Sequence, residues 1–296
     1  MKSRKCKILI ALVFLGLIAG VERLSHHLTD GFSYPNISSS LPYQPHFDVE
    51  TKKGDLETLK VALSQPYRYL ESGSQSFVFI SDDGEFVIKF FKHKRWRINP
   101  FYKHLSLPSR FAKRRSRWIE KKKETVAATF GSCKAAYTEF RDETGVIFVH
   151  LNKTPLFQKT LNIKDKLGFK QRIPLEKVEF VVQRKAIPTN AYLLQLKEEG
   201  KTLEAKKALQ ELFAFTEMRA KKGYSDKDPH LIHNFGFLGG KAVEIDIGGF
   251  HKDPKKDLTY FYSKEVKKIR RKLLPWIDAN YSELKDFVSD ELFPEQ

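Results

Sequence analysis

GYSDKDPHLIHNFGFLGGKAVEIDIGGF, residues 223–250, is the most informative stretch of this chain. Its central Gly-Gly-Lys predicts a turn between two short strands. Asp228 precedes the first strand, Asn234 stands at its start and Asp246 follows the second, so we expect the hairpin to bring these side chains together. Two carboxylates and an amide are oxygen ligands of the kind that Mg²⁺ takes, usually beside phosphate oxygens of a substrate.

A phosphate also needs a cation, and an earlier strand supplies one. Ser-Asp-Asp-Gly at 81–84 is a strong hairpin signal, and a small polar loop, ESGSQS, occupies 71–76. Lys89 lies within Val-Ile-Lys-Phe-Phe, where it is well placed to hold phosphate. These segments predict a three-stranded antiparallel meander with strands at 67–70, 77–80 and 86–91.

A basic segment and a helix follow the meander. Residues 92–123 carry 13 Lys or Arg and one acid, Glu120. Beyond them, apolar residues at spacings of 3, 4 and 3 predict a helix with one buried stripe, and Glu139 lies beside that stripe. Gly223 is a C-cap signal for a later helix over 203–222. Further strands are expected at 144–151, 161–166, 169–175 and 177–186.

The order of these residues resembles the protein-kinase-like superfamily: a small-residue loop, a lysine on the third strand, a helix glutamate, a catalytic Asp and Asn, then Asp-x-Gly. The resemblance covers roughly residues 60–250 and extends to bacterial membrane-anchored kinase-like proteins with Asp-x-Asp-Pro, Asn-Phe-Gly and Ile-Asp-Ile-Gly. It implies ATP and Mg²⁺ as cofactors. The implied roles are phosphate binding by Lys89 with Gly73 and Ser74 in the loop, and support of Lys89 by Glu139, with Glu124 and Glu143 as alternatives. The hinge at 183–186, with Gln183 and Lys185, would contact adenine, and Asn234 and Asp246 would bind the metal. Asp228 would be the catalytic residue, with Asp226 as a rival.

Several departures from the family pattern weigh on the activity. The loop has one glycine, Gly73, where a kinase would have three. Asn234 lies six positions after Asp228, whereas the family has its Asn five positions after the Asp. Asp226 stands where the family has a histidine. No Ala-Pro-Glu follows Asp246, and the chain ends 46 residues after Phe250, which argues against ordinary peptide phosphorylation. Each motif alone also fits a plain structural role, so only their joint order supports the kinase-like interpretation.

The N-terminus has the pattern of a targeting segment. Four basic residues, Lys2, Arg4, Lys5 and Lys7, precede a 14-residue apolar run at 8–21. Residues 1–24 are interpreted as an uncleaved signal anchor, with a cleaved signal peptide and a buried helix as alternatives. The protein is therefore expected at a membrane by a single pass, or secreted or periplasmic after cleavage. The side of the body stays open, because the positive-inside rule predicts export, whereas extracytoplasmic spaces are poor in ATP.

Composition excludes several classes of protein. With 41% hydrophobic and 13% aromatic residues over 296 positions, the chain is too apolar to be disordered. Its two cysteines, Cys6 and Cys133, lie on opposite sides of the apolar run and exclude a disulfide framework and a cysteine zinc site. The net charge of +17 favours polyphosphate, anionic lipid or nucleic acid as a partner without choosing among them.

These observations predict an α+β, two-lobed kinase-like fold. A tether at 25–55 leads to an N-lobe at 56–186, with an antiparallel sheet and a basic helical insertion, and to a short helical C-lobe at 187–296. The predicted function is an ATP- and Mg²⁺-dependent phosphotransferase, tethered to a membrane, whose acceptor stays open. The alternatives are a membrane-anchored pseudokinase that binds or scaffolds a protein partner, and a protein that binds polyanions or lipid surfaces through 92–123 and 252–272. Specific nucleic-acid binding is not expected, because no nucleic-acid fold signature occurs.

Overall fold

The computed structural model describes residues 2–155, 158–226, 228–253 and 258–293. Its helices are α1 (Lys2–Thr29), α2 (Tyr34–Ile37), α3 (Lys53–Leu63), α4 (His93–Trp96), α5 (Pro100–His104), α6 (Ser109–Thr138), α7 (Arg141–Thr144), α8 (Thr189–Glu198), α9 (Thr202–Lys221), α10 (Leu258–Tyr260) and α11 (Val266–Asn280). Shorter 3₁₀ turns lie at Pro45–Phe47, Leu175–Lys177 and Ser282–Leu284, and π-helical turns at Phe261–Glu265 and Phe287–Leu292.

A seven-stranded sheet occupies the first half of the chain in the order β4-β7-β3-β2-β1-β5-β6. Neighbouring strands are antiparallel except β1 and β5, which are parallel. The α+β fold class and the opening meander are confirmed. The strands are β1 (Tyr67–Ser72), β2 (Ser76–Ser81), β3 (Phe86–Phe91), β4 (Val146–His150), β5 (Thr160–Lys164), β6 (Lys170–Pro174) and β7 (Phe180–Arg184).

The turn between β2 and β3 forms as its sequence predicts. The Ser81 hydroxyl accepts a hydrogen bond from the Phe86 amide at 2.9 Å and donates to Asp83 Oδ1 at 2.6 Å. Gly84 adopts a φ of +80°, which glycine tolerates without strain. The hairpin therefore fixes the register of β3, which puts Ile88 and Phe90 in the core of one sheet face and Lys89 on the other.

The helix α6 covers the other face of the sheet. Its predicted stripe of Phe130, Cys133, Tyr137 and Phe140 is buried, and the Phe130 ring lies 5.0 Å from that of Phe91 on β3. The predicted apolar periodicity is thus the packing surface of the helix. At 30 residues, α6 extends far beyond this stripe, and its N-terminal half lies outside the core.

The second half of the chain combines helices with two small sheets. Gly223 follows α9 with a φ of +76°, as its C-cap signal predicts. Phe235 pairs with Glu244 across the turn at 239–240, so the expected hairpin forms. One small sheet has the order β11-β10-β8, and the other pairs β12 with β9; the strands are β8 (Ile187–Pro188), β9 (Tyr224–Asp226), β10 (Phe235–Leu238), β11 (Lys241–Glu244) and β12 (Phe250–Lys252).

The N-terminal helix continues past the expected segment. Within α1, residues Lys7–Thr29 are long and apolar enough to cross a membrane, and none of that stretch is buried against the rest of the chain. A signal sequence satisfies the same criteria. The expected tether at 25–55 is not a free linker, because the Phe32 ring lies 5.3 Å and 4.9 Å from those of Phe77 and Phe79. Ile37 and Phe47 are also buried, so this segment packs on the domain because its few apolar residues find partners there.

Candidate active site

A cleft of about 340 Å³ lies between the loop that joins β1 to β2 and the segment that follows β7. We call residues 72–76 the Gly/Ser loop and residues 183–186 the hinge. The volume is at the lower end of the range for small-molecule sites, which are mostly apolar with a few convergent polar groups. The cleft fits that description, since its apolar wall consists of Leu70, Val78, Val87, Ala186, Pro188 and Ile245.

Lys89 is one of the cations that line the cleft, with Arg184 and Lys185. Its Nζ donates a hydrogen bond to the carbonyl oxygen of Ile245 at 2.5 Å, across 156 residues of sequence. Burial lowers the pKa of this amine, and the nearby Asp246 carboxylate opposes the shift. The fold therefore joins the strand that carries the predicted phosphate-binding lysine to the Asp-Ile-Gly segment.

A second cavity, of about 380 Å³, continues the cleft on the side of the acidic residues. Ser74, Gln75, Asn234 and Asp246 line both cavities. The structure thus brings together the Gly/Ser loop, the lysine strand and the predicted metal-binding residues. The remaining lining includes Lys121, Glu124, Asp226, Asp228, Gly248 and Gly249.

Backbone hydrogen bonds hold the two ends of the hairpin together. The Asn234 carbonyl accepts from the amides of Ile245 at 2.7 Å and Asp246 at 3.1 Å. The Asn234 side-chain Nδ2 donates to the Asp228 carbonyl at 2.7 Å. This leaves the amide oxygen of Asn234 and the exposed carboxylate of Asp246 as oxygen ligands on one side of the second cavity.

These ligands fit a metal that shares its coordination with a substrate. Within the described ranges, no group of three His, Cys, Asp or Glu side chains is arranged to hold a metal ion. Mg²⁺ is commonly held by one or two carboxylates with phosphate oxygens and water, so Asp246, Asn234 and Asp228 suit it in that mode.

The two aspartates proposed for catalysis have different surroundings. The Asp228 side chain is 68% exposed, and its Oδ1 accepts a hydrogen bond from Lys272 Nζ. Asp226 is buried, and its Oδ1 accepts from the Asp228 amide at 3.0 Å. A Cβ on Gly249 would lie 2.3 Å from the same Asp226 oxygen. Asp226 is therefore committed to holding the backbone around it, whereas Asp228 reaches the open cavity.

A buried charge cluster below the site does not follow from the motif analysis. Arg219 on α9 is fully buried, and its guanidinium lies 2.6 Å from Glu244, 3.7 Å from Asp226 and 3.8 Å from Glu265. Burial raises the pKa of Glu244 well above its usual value, and the Asp226 and Asp246 charges add to the shift, while Arg219 opposes it. The sequence feature that could have revealed this cluster is the position of Arg219, three residues after Thr216 on the buried stripe of α9.

The structure does not bring Glu139 to Lys89. Glu139 is exposed at the C-terminal end of α6, and its carbonyl accepts from Lys222 Nζ at 2.8 Å. Seven residues earlier, the Ser132 hydroxyl donates to the Ile247 carbonyl and accepts from the Phe250 amide at 2.7 Å. The helix is therefore linked to the Asp-Ile-Gly segment through a serine, which the motif analysis missed because the resemblance directs attention to an acid.

The Gly/Ser loop is held by basic residues that follow β3. The Gly73 amide donates to the Ser76 carbonyl at 3.0 Å, and Lys92 Nζ donates to Ser72 Oγ at 2.6 Å. The Ser74 carbonyl accepts from Arg95. Gln75, which was not predicted, reaches the opposite wall, since a Cβ on Gly248 would lie 2.5 Å from Gln75 Oε1.

The hinge residues mainly stabilise their own segment. Gln183 Nε2 donates to the carbonyls of Thr144 at 2.5 Å and Glu244 at 3.2 Å. Lys185 donates from Nζ to the Ala186 carbonyl at 2.8 Å. Both residues line the cleft, and burial lowers the pKa of the Lys185 amine. Their side-chain hydrogen bonds brace the cleft wall beside which a base would lie.

Comparisons with solved structures find weak overall similarity. The bifunctional kinase-methyltransferase WbdD is 15% identical over 65% of this chain and 33% of its own, with a TM-score of 0.32. The erythromycin complex of Rv3197 from Mycobacterium tuberculosis is 18% identical over 74% of this chain and 56% of its own, with a TM-score of 0.29. The streptomycin-ATP-APH(2")-IIa ternary complex is 14% identical over 83% of this chain and 99% of its own, with a TM-score of 0.23.

The chain spans about a third of the length of WbdD and just over half that of Rv3197. No protein-family model and no curated protein matches it. At these TM-scores the similarity in shape says nothing about function, which has to be inferred from the geometry of the cleft.

Proposed function

We propose that this protein is an atypical, kinase-like phosphotransferase that binds ATP and Mg²⁺ in the cleft between a β-rich N-lobe and a helical C-lobe. One observation carries the proposal: the Lys89 amine donates to the Ile245 carbonyl, directly beside Asp246, in a cleft bounded by the Gly/Ser loop and the hinge. A cation, a carboxylate and an apolar wall are the three features that a nucleotide requires of its site.

Different residues of the cleft would bind different parts of a nucleotide. The apolar wall that includes Val87 and Ala186 suits the flat face of the base. The Lys89 side chain is only partly exposed, so its charge is poorly screened and acts strongly on phosphate oxygens. When bound, Mg²⁺ would neutralise charge on the phosphates, and Asn234 and Asp246 are the residues that would hold it.

Asp228 is assigned the role of orienting the acceptor hydroxyl. Its carboxylate is exposed in the second cavity, where Lys272 holds one of its oxygens. An acceptor either displaces Lys272 from that oxygen or bonds to the other one. The protein would contribute positioning and charge neutralisation, with no covalent intermediate of its own.

A thermal-shift titration with Mg·ATP tests the nucleotide site. Ligand at 100 times its Kd stabilises the folded state by about 2.7 kcal/mol. We expect Lys89→Ala to bind about 10- to 100-fold more weakly, because a hydrogen bond to a charged group contributes about 1.5–3 kcal/mol. Asp246→Asn should show the same loss specifically in the presence of Mg²⁺.

Lys60→Ala is the matched control, since this lysine is exposed on α3 and pairs only with its helical neighbour Glu57 among the described side chains. Its titration should equal that of wild type. No stabilisation of wild type, or equal stabilisation of wild type, Lys89→Ala and Asp246→Asn, would exclude the nucleotide site.

The second candidate function is a pseudokinase that binds without transferring phosphate. It is favoured by the ion pair that holds Asp228 to Lys272 and by the distance of Glu139 from the cleft. Transfer of phosphate from labelled ATP to the chain or to offered hydroxyl acceptors, abolished in Asp228→Asn, decides for the enzyme. Nucleotide binding without any transfer decides for the binding module.

We also propose that α1 tethers the protein to a membrane. The support is the apolar stretch Lys7–Thr29, which is long enough to span a bilayer and whose most apolar 18-residue window is not buried against the rest of the chain. Protease digestion of intact and lysed cells locates the domain. Full protection in intact cells is expected of a domain with access to cytoplasmic ATP, and release of a shortened soluble chain would show that α1 is a cleaved signal.

A further inference from the structure

The N-terminal half of α6 presents a row of unpaired positive charges. Arg110, Lys113, Arg114 and Arg117 are all exposed, and their spacing of three, one and three residues places them on one face of the helix. Within the described part of the chain none of the four has an acidic partner, since Glu120, the one acid of 92–123, pairs with Lys123. This row is therefore free to attract an anionic surface outside the chain.

Aromatic side chains flank the row. Phe111 and Trp118 on α6 are exposed, and Phe101 on α5 is 75% exposed. The rings of Tyr102 and Trp118 lie 5.8 Å apart, so α5 is held against the same side of α6. Exposed aromatic rings beside lysine and arginine are typical of helices that lie in the interfacial region of a bilayer.

The row and its aromatic flank lie close to the point where the chain leaves α1. Arg97 donates to the carbonyls of Pro35 and Ser38, and its own carbonyl accepts from Lys122 of α6 at 2.8 Å. Pro35 is six residues beyond Thr29, the last residue of α1. Six residues span at most about 20 Å, and Lys122 lies five residues, about 7.5 Å of helix, beyond Arg117, so Arg97 links the exit of α1 to the C-terminal end of the basic row.

We propose that the exposed face of α5 and the N-terminal half of α6, with Arg110, Lys113, Arg114, Arg117, Phe101, Phe111 and Trp118, docks on the anionic headgroups of the bilayer that α1 enters. We call it the basic-aromatic face. Each lysine or arginine close to an anionic leaflet strengthens binding about fivefold, and the attraction decays within a Debye length. The proximity to α1 and the exposed rings favour a bilayer over nucleic acid as the polyanion. The proposal does not depend on phosphate transfer.

Docking would also orient the candidate active site. The same helix α6 contributes Lys121 and Glu124 to the second cavity, and Ser132 contacts the Asp-Ile-Gly segment. If a bilayer contacts the start of α6, the axis of this helix leads from the bilayer to the second cavity, where the acidic residues lie.

The test uses the full chain in lipid nanodiscs, with quenching of tryptophan fluorescence by lipids brominated near the headgroup. We expect quenching in discs that contain phosphatidylglycerol and little in discs of phosphatidylcholine alone, with loss of the difference at high salt. Trp118→Phe should remove the quenching, which assigns the signal to that residue. The triple change Arg110→Gln, Arg114→Gln and Arg117→Gln should weaken docking roughly 100-fold and abolish the quenching.

The matched control neutralises three exposed charges of the other basic block, Lys264→Gln, Lys267→Gln and Arg271→Gln, and should quench as wild type does. Equal thermal unfolding midpoints of the two triple variants show that both are folded. Quenching that is independent of anionic lipid, or that survives in the Arg110, Arg114 and Arg117 variant, overturns the proposal. Unquenched Trp118 together with salt-sensitive binding of an oligonucleotide, lost in that variant, assigns the surface to nucleic acid instead and also overturns it.

Discussion

Replacing Arg219 by methionine tests whether the buried charge cluster holds the base of the candidate active site in place. The guanidinium lies within 4 Å of Glu244, Asp226 and Glu265, and it joins α9 to β11, β9 and the turn before α11. Methionine keeps the length of the side chain and removes the charge. Breaking a buried ion pair by removing one partner costs about 3–5 kcal/mol.

The cost has a characteristic dependence on pH. Arg219 opposes the rise in the Glu244 pKa that burial already causes in wild type, so its removal raises the folded pKa of the buried carboxyls further, and the variant retains protons that wild type releases. The variant is therefore least destabilised near the unfolded carboxyl pKa of about 4, and loses stability relative to wild type as the pH rises. One retained proton lowers stability by about 1.4 kcal/mol per pH unit, so about three units reproduce the full loss.

Urea unfolding followed by circular dichroism at about pH 5 and about pH 8 measures the difference. A loss of about 3–5 kcal/mol also corresponds to a fall in Tm of roughly 6–20 °C for a chain of this size. Lys207→Met on the same helix removes an exposed charge and should change stability by less than about 0.5 kcal/mol. A loss below about 1 kcal/mol in Arg219→Met, or one that is equal at both pH values, refutes the reasoning.

Three further predictions concern packing and ionisation. Gly236→Ala should lower the free energy of unfolding by about 1–3 kcal/mol, because the new Cβ would lie 2.4 Å from the Ile187 carbonyl oxygen. Gly131→Ala, inside α6 with open space around it, should instead raise this free energy by about 0.5–1 kcal/mol. Equal effects of the two changes in urea unfolding would contradict this. Burial alone would raise the pKa of Asp55, but hydrogen bonds from Arg141 and Tyr137 outweigh this effect and lower the pKa. Asp55→Asn should therefore be about 1–3 kcal/mol less stable than wild type at neutral pH, and the difference in stability should disappear as the pH falls below about 4. A difference that does not change with pH would show that the charge of Asp55 is not involved. Burial raises the pKa of the Cys133 thiol to about 12, so mass spectrometry should find it unmodified by N-ethylmaleimide until the protein unfolds, and rapid labelling of the native protein would show that this part of α6 opens.

The different surroundings of Asp226 and Asp228 narrow the choice of a catalytic group. They are two positions apart in sequence, and either one matches part of the family pattern. Asp226 is the last residue of β9, pairs with Phe250 of β12 and faces the Arg219 cluster. Asp228 lies beyond the strand and is mostly exposed. The strand end thus separates a carboxylate held inside the fold from a mostly exposed one whose partner is Lys272, and Asp228→Asn is the informative change for the proposed activity.

Local patterns predicted much of the fold. A few neighbouring residues were enough to predict four features: the hairpin at 81–84, the position of Lys89 on β3, the C-cap at Gly223 and the β10–β11 hairpin. Turn chemistry and apolar periodicity act over short distances, so they can be recognised without the rest of the chain. Glu139 was preferred as the partner of Lys89 because periodicity identifies the buried stripe but not the turns of α6 that line the second cavity, which carry Lys121, Glu124 and Thr129 nearer the start of the helix.

The sequence by itself determined most of the secondary-structure order, the apolar N-terminal helix, the concentration of charge in 92–123 and several of the polar residues that line the cleft, among them Lys89, Asn234 and Asp246. Only the tertiary structure decided that the segment at 25–55 packs on the sheet, that Arg219 carries a buried cluster, and that Ser132 and Gln75 contact the Asp-Ile-Gly segment. The physical reason is the range of the interactions: turns and helices form between near neighbours, whereas the Ser132–Ile247 hydrogen bond joins residues 115 positions apart and exists only after the two halves of the chain have packed together.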